Sequence, residues 1–494
     1  MTTEELEAAP NPPVSSSAPQ LLYRFRPLAR LLDSGELERQ EIYFASPSEL
    51  NDPMEGFRDL YWSGDRIAWE NLFRHYLRCL NWALTIYRLG GEDHPLTWDN
   101  IPVDGPRPGE AGSPQLEEML ERMCEDFLGE PTVSRLIDSL DGRPTPTRRD
   151  ELRGYMRSLH PLGIGVVFRR HEIHRLCSPD SGAREMLARA KETLPNLDLM
   201  IETLRSISQE GQGDLLREMF ALFGDLASQV GLATLISHGE GNYAANKDFI
   251  VRAFGEEFVD QLERLVYPGW RVACFLSDCR DSSLWGSYGD SHTGVCLVFK
   301  PDERDGRMYL PLMQVNGFDS RGANRGEVTQ PLHPVTYSSK FAPVDFFRSI
   351  GNLPAGVLFK RWHSNPAGER SVCASDYGDK WRDAYWRGFY PGATTKLADW
   401  AREREHRLLL TDSFVGFSDV ESRKATYDFA NLHGLIFGMK TPTAKKLEIC
   451  RIVERKCAAI GRTDFKFYEA FYSEVRGSVD HRELNLLKMR FPTS

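Results

Sequence analysis

The 494-residue chain has no paired cysteines to speak of: its nine cysteines are scattered and no CxxC pair occurs among them. With several of them in or beside apolar runs, such as Cys274, Cys296 and Cys450, buried free thiols in a reducing compartment are the expected state. No run approaches the ~20 apolar residues of a spanning helix, so no membrane-crossing segment and no membrane partner are expected. The first twenty residues are acidic and then rich in Pro and Ser, without the apolar centre of a secretory signal. A cytoplasmic location follows as the expectation. Excess positive charge is absent as well. A net charge of -10 argues against a general nucleic-acid coat while leaving room for a local basic cleft. Paired carboxylates within an Asp-rich metal nest are also missing, and no metal is expected in the site.

What is present is a soluble-type composition, 41% hydrophobic and 27% charged, over a length that suits two to four domains or one core with large insertions. The most informative stretch runs from Val272 to Phe299. Two short apolar runs, around Cys274–Leu276 and Val295–Phe299, read as buried strands. Between them Trp285, Tyr288 and His292 follow at steps of three and four, the spacing of one helical face. A surface connection has no packing need for these three groups on one side, whereas a ligand would explain them.

Taken in order, residues 1–20 read as a disordered leader and 21–60 as the first part of an α+β core. Leu22–Arg26 alternates as a half-buried strand, Pro27–Gly35 reads as a short helix, and Glu41–Ala45 as the next strand. Ser46 or Ser48 caps the turn that follows, which Asn51-Asp52-Pro53 ends. Asn51 either holds its own turn or meets a ligand. Residues 61–269 show helical periodicity and read as a helical insertion or subdomain. Its seven candidate helices fall at 68–87, 115–128, 132–140, 184–194, 197–208, 215–230 and 246–266, with a loop over 89–114 and a Pro/Arg linker over 141–150. His171, His174 and Cys177 lie three apart but lack a fourth ligand and read as a helix surface. Residues 270–475 read as the second part of the core. Within it 316–329 is expected as a loop, and 338–395 as an irregular, aromatic-rich connection that forms a lid or a partner surface. Glu403, Glu405 and Arg407 share one face if a strand begins at Glu403; otherwise Trp400–Glu405 ends a helix and the strand begins near Arg407. Leu432–Lys440 is a buried strand, Thr441-Pro442-Thr443 opens a helix, Phe465–Tyr472 is a strand, and 476–494 is a basic tail.

Several of these stretches together, in this order, resemble the bacterial family catalogued as domain of unknown function 2971. They are Tyr23-Arg24-Phe25, Ile42 to Pro47 with Asn51-Asp52-Pro53, Cys274 to Ser277 with Leu284 to Tyr288 and His292-Thr293-Gly294, Lys396 with Trp400, Glu403, Glu405 and Arg407, and Phe437-Gly438. The match covers about half the chain, residues 21–60 and 270–470. More remotely the layout is similar to the ADP-ribosyltransferase superfamily, whose members bind NAD in a split pair of antiparallel sheets. That resemblance implies a mixed, mainly antiparallel split-sheet core and an NAD-dependent transferase or glycohydrolase, such as a toxin or anti-phage effector. It assigns Arg24 to the first-strand position, Tyr288 to the aromatic contact, and Glu405 or Glu403 to the acid. Tyr288 departs from the pattern by sitting on a short helix, and no Ser-Thr-Ser element is present.

The chemistry suits these residue types. A carboxylate favours the positive charge that develops on ribose. An aromatic face such as Tyr288, Trp285 or Tyr43 holds flat nicotinamide. Arg24 or Arg407 suits the pyrophosphate, and Asn51 a carboxamide or hydroxyl. His292 serves as a base or as a brace for its turn. Two other readings stand beside this one. In the first, a nucleic-acid binder or nuclease uses a cleft lined by Arg26, Arg321, Arg325, Lys360 and Arg361. In the second, a non-catalytic sensor binds a protein partner through the helical insertion. An acceptor protein or nucleic acid is the further partner of a transferase.

Overall fold

The computed structural model describes residues 20–105, 113–178, 182–209, 211–238, 244–320, 322–412, 416–417 and 419–488. The expected leader, Gln20 apart, and the last residues of the basic tail lie outside the described residues, as does Arg321. The chain divides into two compact units. One comprises Met1–Glu55, Trp270–Ser339 and Thr394–Ser494, and the other Gly56–Gly269 and Lys340–Ala393.

The first unit is a mixed α+β fold built on a curled, mainly antiparallel eight-stranded sheet. In chain order its strands are β1 (Leu22–Arg26), β2 (Trp270–Leu276), β3 (Val295–Phe299), β4 (His333–Pro334), β5 (Glu405–Thr411), β6 (Leu432–Phe437), β7 (Lys466–Ser473) and β8 (Ser478–Glu483). They lie side by side as β4-β5-β2-β1-β3-β6-β7-β8. Only β6 and β7 run parallel, joined through the helix Thr443–Ile460. Part of the expected C-terminal tail is thus an edge strand, β8.

β3 is buried at every residue, which fits a central strand covered on both faces. One face carries Leu22, Phe275, Leu297 and Leu408 against Ile449 and Val453 of the helix Thr443–Ile460. The other carries Phe25, Leu276, Cys296 and Ile436 against Trp285 and Leu284. A second sheet pairs Glu41–Tyr43, Lys424–Tyr427, Arg307–Asp319 and Asp302–Arg304, with Gly322–Pro331 completing a long hairpin. The stretch 316–329, expected as a loop, is therefore mostly hairpin. Its residues on the second arm are largely exposed, so the backbone ladder rather than an apolar face holds it.

β1 bonds β3 along all five residues but meets β2 at one pair only, Tyr23–Leu276. Beyond that pair β2 bonds instead with Ala45, whose N–H and C=O exchange hydrogen bonds with Val272 at 2.8 Å. The sheet therefore parts between β1 and β2. The Arg24 guanidinium lies across the parting, donating to the carbonyls of Cys274 and Tyr43 at 3.1 Å each.

The second unit is mainly helical: α1 (Arg66–Gly90), α2 (Pro114–Leu128), α3 (Pro131–Leu140), α4 (Arg149–Ile173), α5 (Ala183–Gln209), α6 (Gly213–His238), α7 (Phe254–Gln261) and α8 (Asp379–Thr394, ending at the unit boundary). Asp65 caps α1 by accepting from the Ala68 N–H, and Trp69, Leu72, Phe73, Tyr76 and Leu80 give that helix its buried stripe. Three corrections to the sequence reading belong here. α4 lies outside the seven candidate helices, and of its residues only His171 had been placed on a helix. α5 runs unbroken through Pro195, where two helices were expected. Most of 338–395 folds with this unit, as three helices and a strand, rather than serving as a connection within the core.

His171 also corrects an expectation. Its ring is buried and hydrogen-bonded by Asn81 and Arg88, so it is no helix-surface residue. All nine cysteines are free. Among the described residues one helix, over Gly213–Ser237, is long and apolar enough to cross a membrane by length and composition. The sequence reading passed over it because Arg217, Glu218 and Asp225 interrupt the apolar run.

Burial in this unit has a consequence for acid stability. Burial lowers His75 to about 3 and His160 to about 4. His160 accepts or donates at both ring nitrogens, to the Tyr76 hydroxyl and the Ile250 carbonyl. Below the unfolded value of about 6.5 the unfolded chain takes up protons that the folded unit refuses, so stability falls as pH drops. From pH 7 to pH 5 the two groups together are expected to cost about 4 kcal/mol, roughly 10 °C in thermal midpoint. Scanning calorimetry at the two pH values checks this, and a midpoint for this unit that does not fall would contradict it.

Candidate functional site

The parting of the sheet opens a cavity of about 310 Å³ in the first unit. Arg24, Arg26 and Arg30, from β1 and the turn after it, contribute the cations of one lining segment. Glu403, Glu405, Lys396 and Tyr288 come from elsewhere in the same unit, with Tyr43, Glu49 and Asn51 completing the polar lining.

Arg26 is paired with Glu36. Arg24 has no carboxylate within ion-pair distance among the described residues, although it is almost fully buried. Burial, and then the neighbouring Arg26, pull its guanidinium down to about 10. A cation in that condition gains from an incoming anion, and its fixed fork matches a phosphate or carboxylate. Tyr43 turns its hydroxyl to Glu49, which closes a capping box with Ser46.

The carboxylates form the deeper chain. Asn51 Nδ2 donates to the Tyr288 hydroxyl at 2.9 Å, and that hydroxyl donates to Glu403. Lys396 Nζ lies 2.7 Å from Glu403 and 3.7 Å from Glu405. Arg407 grips Glu405 at 2.9 and 3.2 Å and Glu55 through both terminal nitrogens. Five ionisable groups thus stand together, three carboxyls against two cations. Burial pushes Glu55 up, more than Arg407 offsets. Burial also pushes Glu405 up, but Arg407 and Lys396 outweigh it and hold that carboxyl below the usual range. Burial and then Glu403 push the Tyr288 phenol up, which keeps it a donor. Lys396 is lowered by burial and raised by more through Glu405 and Glu403, so it remains charged.

The local backbone explains how Glu403 and Glu405 come together. Ala398–Glu403 is a short 3₁₀ turn, Arg404 is left-handed with φ of 44°, and the strand starts at Glu405. Glu403 therefore shares no strand face with Glu405 and Arg407. The left-handed residue folds it back so that Lys396 bridges both acids.

Of the nine residues singled out in the sequence, Arg24, Tyr43, Asn51, Tyr288, Glu403 and Glu405 line the cavity. Three do not. Trp285 is fully buried in the smaller core, its indole N–H on the Cys279 carbonyl at 2.8 Å and its ring edge-on to Phe25. The helix Ser282–Ser287 ends before His292, which sits in a left-handed run with Asp290 and Ser291 and stacks on Trp285. Its carbonyl accepts from Lys440, and a side chain at Gly438 would stand 2.3 Å from that oxygen. His292 is thus a brace of its turn, and only glycine fits at position 438. Arg407 is completely buried and acts by holding Glu405.

Sequence reasoning missed Glu55, Arg30 and Glu49 and left Lys396 without a role.

No protein-family model, curated protein or solved structure matches this chain. The functional argument therefore rests on the cavity itself.

The described cations named for a nucleic-acid cleft are divided between the two units. Arg26 is taken by Glu36, and Arg325 by the Lys424 carbonyl. Lys360 and Arg361 belong to the other unit.

Proposed function

We propose that the first unit binds NAD and breaks its nicotinamide–ribose bond, passing ADP-ribose to a nucleophile on a protein or nucleic acid, or to water. One observation carries the reading: a single cavity is lined both by a buried, carboxylate-free Arg24 and by the neighbouring acids Glu403 and Glu405, which share the one lining cation Lys396. NAD has the complementary pattern, an anionic pyrophosphate and a ring that leaves positive charge on the sugar.

Arg24, flanked by Arg30, takes the pyrophosphate. The face of Tyr288 supports nicotinamide, and Asn51 positions that ring both directly and through the Tyr288 hydroxyl. As the glycosidic bond lengthens, the bonding pair leaves with nicotinamide and the cation grows at the ribosyl carbon. Glu405, ionised and fixed by Arg407, lowers the energy of that charge without reorganising. Glu403 lies beside it, bonded to Lys396 and Tyr288, and orients a ribose hydroxyl. The nucleophile then bonds to the ribosyl carbon and releases its proton.

The order of Arg24, Tyr288 and Glu405 along the chain is the one that the resemblance drawn from the sequence implies. Calorimetric titration with NAD tests the reading. Wild type is expected to bind, and Tyr288→Ala to bind about tenfold or more weakly, the loss of one stacking contact of ~1.4 kcal/mol. A folded wild type that takes up no NAD at millimolar concentration would overturn the proposal.

A further inference from the structure

Helix α6 buries one side and leaves another bare. Leu216 and Phe220 face the second unit, where Phe220 packs edge-on to Tyr155 of α4 at 5.7 Å. About a third of a turn away, Leu215, Leu222, Phe223, Leu226, Val230 and Ile236 stand exposed, from 43% for Leu215 to 71% for Ile236. Scattered exposed apolar residues need no explanation, but seven large ones on one helix, all but Leu232 on one side of it, do.

The stripe has a register. Positions 215, 219, 222, 226, 229, 233 and 236 alternate steps of four and three, and they carry Leu, Met, Leu, Leu, Gln, Ala and Ile. That is the seam of a helix pair rather than a broad core-facing stripe.

We propose that α6 is the seam of a two-fold homodimer, in which the stripe of one copy packs antiparallel against the same stripe of a second copy. Three observations select this occupant. The first is charge. Asp214, Arg217, Glu218 and Asp225 all lie in the first half of the helix, and residues 226–237 carry no charge. A parallel pair would align the acidic halves, whereas an antiparallel pair sets each against an uncharged half and opposes the helix dipoles. The second is self-complementarity. With Leu226 on the axis, Leu222 meets Gln229, Met219 meets Ala233, and Leu215 meets Ile236. Each pairing is repeated by the axis, as an isologous contact requires, with Leu226 against its own copy, Met219 over the small Ala233, and leucine and isoleucine at both ends of the seam. The third is extent. The exposed stripe runs from Leu215 to Ile236, about 30 Å of helix, and Phe223 and Val230 flank it, so a second copy lying along it covers about six turns. A transbilayer role fits less well, because Asp225 sits mid-helix and the Leu216–Phe220 side is committed to α4.

Sedimentation of the full chain at micromolar concentration tests the seam. Wild type is expected at the mass of two chains. Leu226→Arg places two cations on the axis and is expected to raise the dissociation constant at least about a hundredfold, giving single chains. Ser228→Arg, on the same exposed helix but off the stripe, is expected to leave the pair intact, with circular dichroism unchanged in both variants.

Direction is read by crosslinking. Leu226→Cys is expected to join its own copy under mild oxidation while Leu222→Cys does not. Wild type running as a single chain, or Leu226→Arg remaining paired, would overturn the dimer. Equal crosslinking at both positions would overturn its antiparallel geometry. A single-chain wild type that floats with phosphatidylcholine vesicles would reassign the stripe to a lipid surface.

Discussion

Arg407→Met is expected to destabilise the first unit by about 3–5 kcal/mol, the scale on which removing one partner strands a buried charge. Arg407 and Glu405 are 0% and 2% exposed, and Glu55 is also buried. Without the guanidinium, three carboxyls face Lys396 alone. The loss is a penalty left on the acids, not the net worth of the ion pairs, so it should depend on pH in a particular sense. With Arg407 gone the folded-state values of Glu55 and Glu405 rise. Protonation then stabilises the folded variant, and its deficit against wild type should shrink as pH falls from 7 toward 5. In wild type Glu405 has the opposite sign. Its depressed value contributes stability above the unfolded carboxylate range, and that stability is lost as pH falls through the folded value. Denaturant unfolding of both proteins at pH 7 and pH 5 reads the difference. A deficit that stays constant or grows on acidification would contradict the account.

Glu405→Gln is expected to lower nicotinamide release by a factor of about 10²–10³, comparable to removing a preorganised charge-stabilising group elsewhere. The same substitution should cost less stability than Arg407→Met, although it gives up what the ionised Glu405 contributes. It removes one negative charge from a cluster that has one to spare, and Gln keeps the shape between Arg407 and Lys396. The contrast with Arg407→Met is informative because both changes touch one hydrogen-bonded pair. A structural role for Glu405 alone predicts matched losses in stability and turnover; a role in the reaction predicts loss of turnover with binding of NAD retained. Single-turnover release of nicotinamide, set beside the thermal midpoint and the calorimetric affinity, separates the two. Full turnover in Glu405→Gln would remove the carboxylate from the reaction.

The core strands were legible in the sequence because they are short, apolar and bounded by turn residues, as in Val295–Phe299 and Leu432–Phe437. α4 was not, since Pro161 and three glycines interrupt its pattern and its helicity comes from packing against neighbours. α8 hid for a related reason: its aromatics are indifferent helix formers, and what holds it is contact with residues such as Val266, whose carbonyl takes the Tyr385 hydroxyl. The hairpin through 307–331 has no buried second arm and so no period to read.

The site divides in the same way. Arg24, Tyr288, Glu403 and Glu405 could be named because ionisable or aromatic groups stood next to apolar strands. Glu55 could not, because its partner Arg407 is 352 positions away and no local pattern announces a pairing at that range. Trp285 and His292 were drawn into the site by helical spacing, but Trp285 packs inward on Phe25 and His292 lies in the left-handed turn beyond the helix end at Ser287.

The pairing of β1 has a consequence for synthesis. All its ladder partners lie in β2 and β3, beyond the residues that build most of the helical unit. At ~5–20 residues per second, about 15–50 s separate the emergence of Phe25 from that of Phe299 on the ribosome. For that interval Leu22 and Phe25 have no sheet to join, while helices α1 to α7 are already available to fold. β1 therefore stays without its ladder partners until β3 has cleared the tunnel, so this strand is completed late although it is made early.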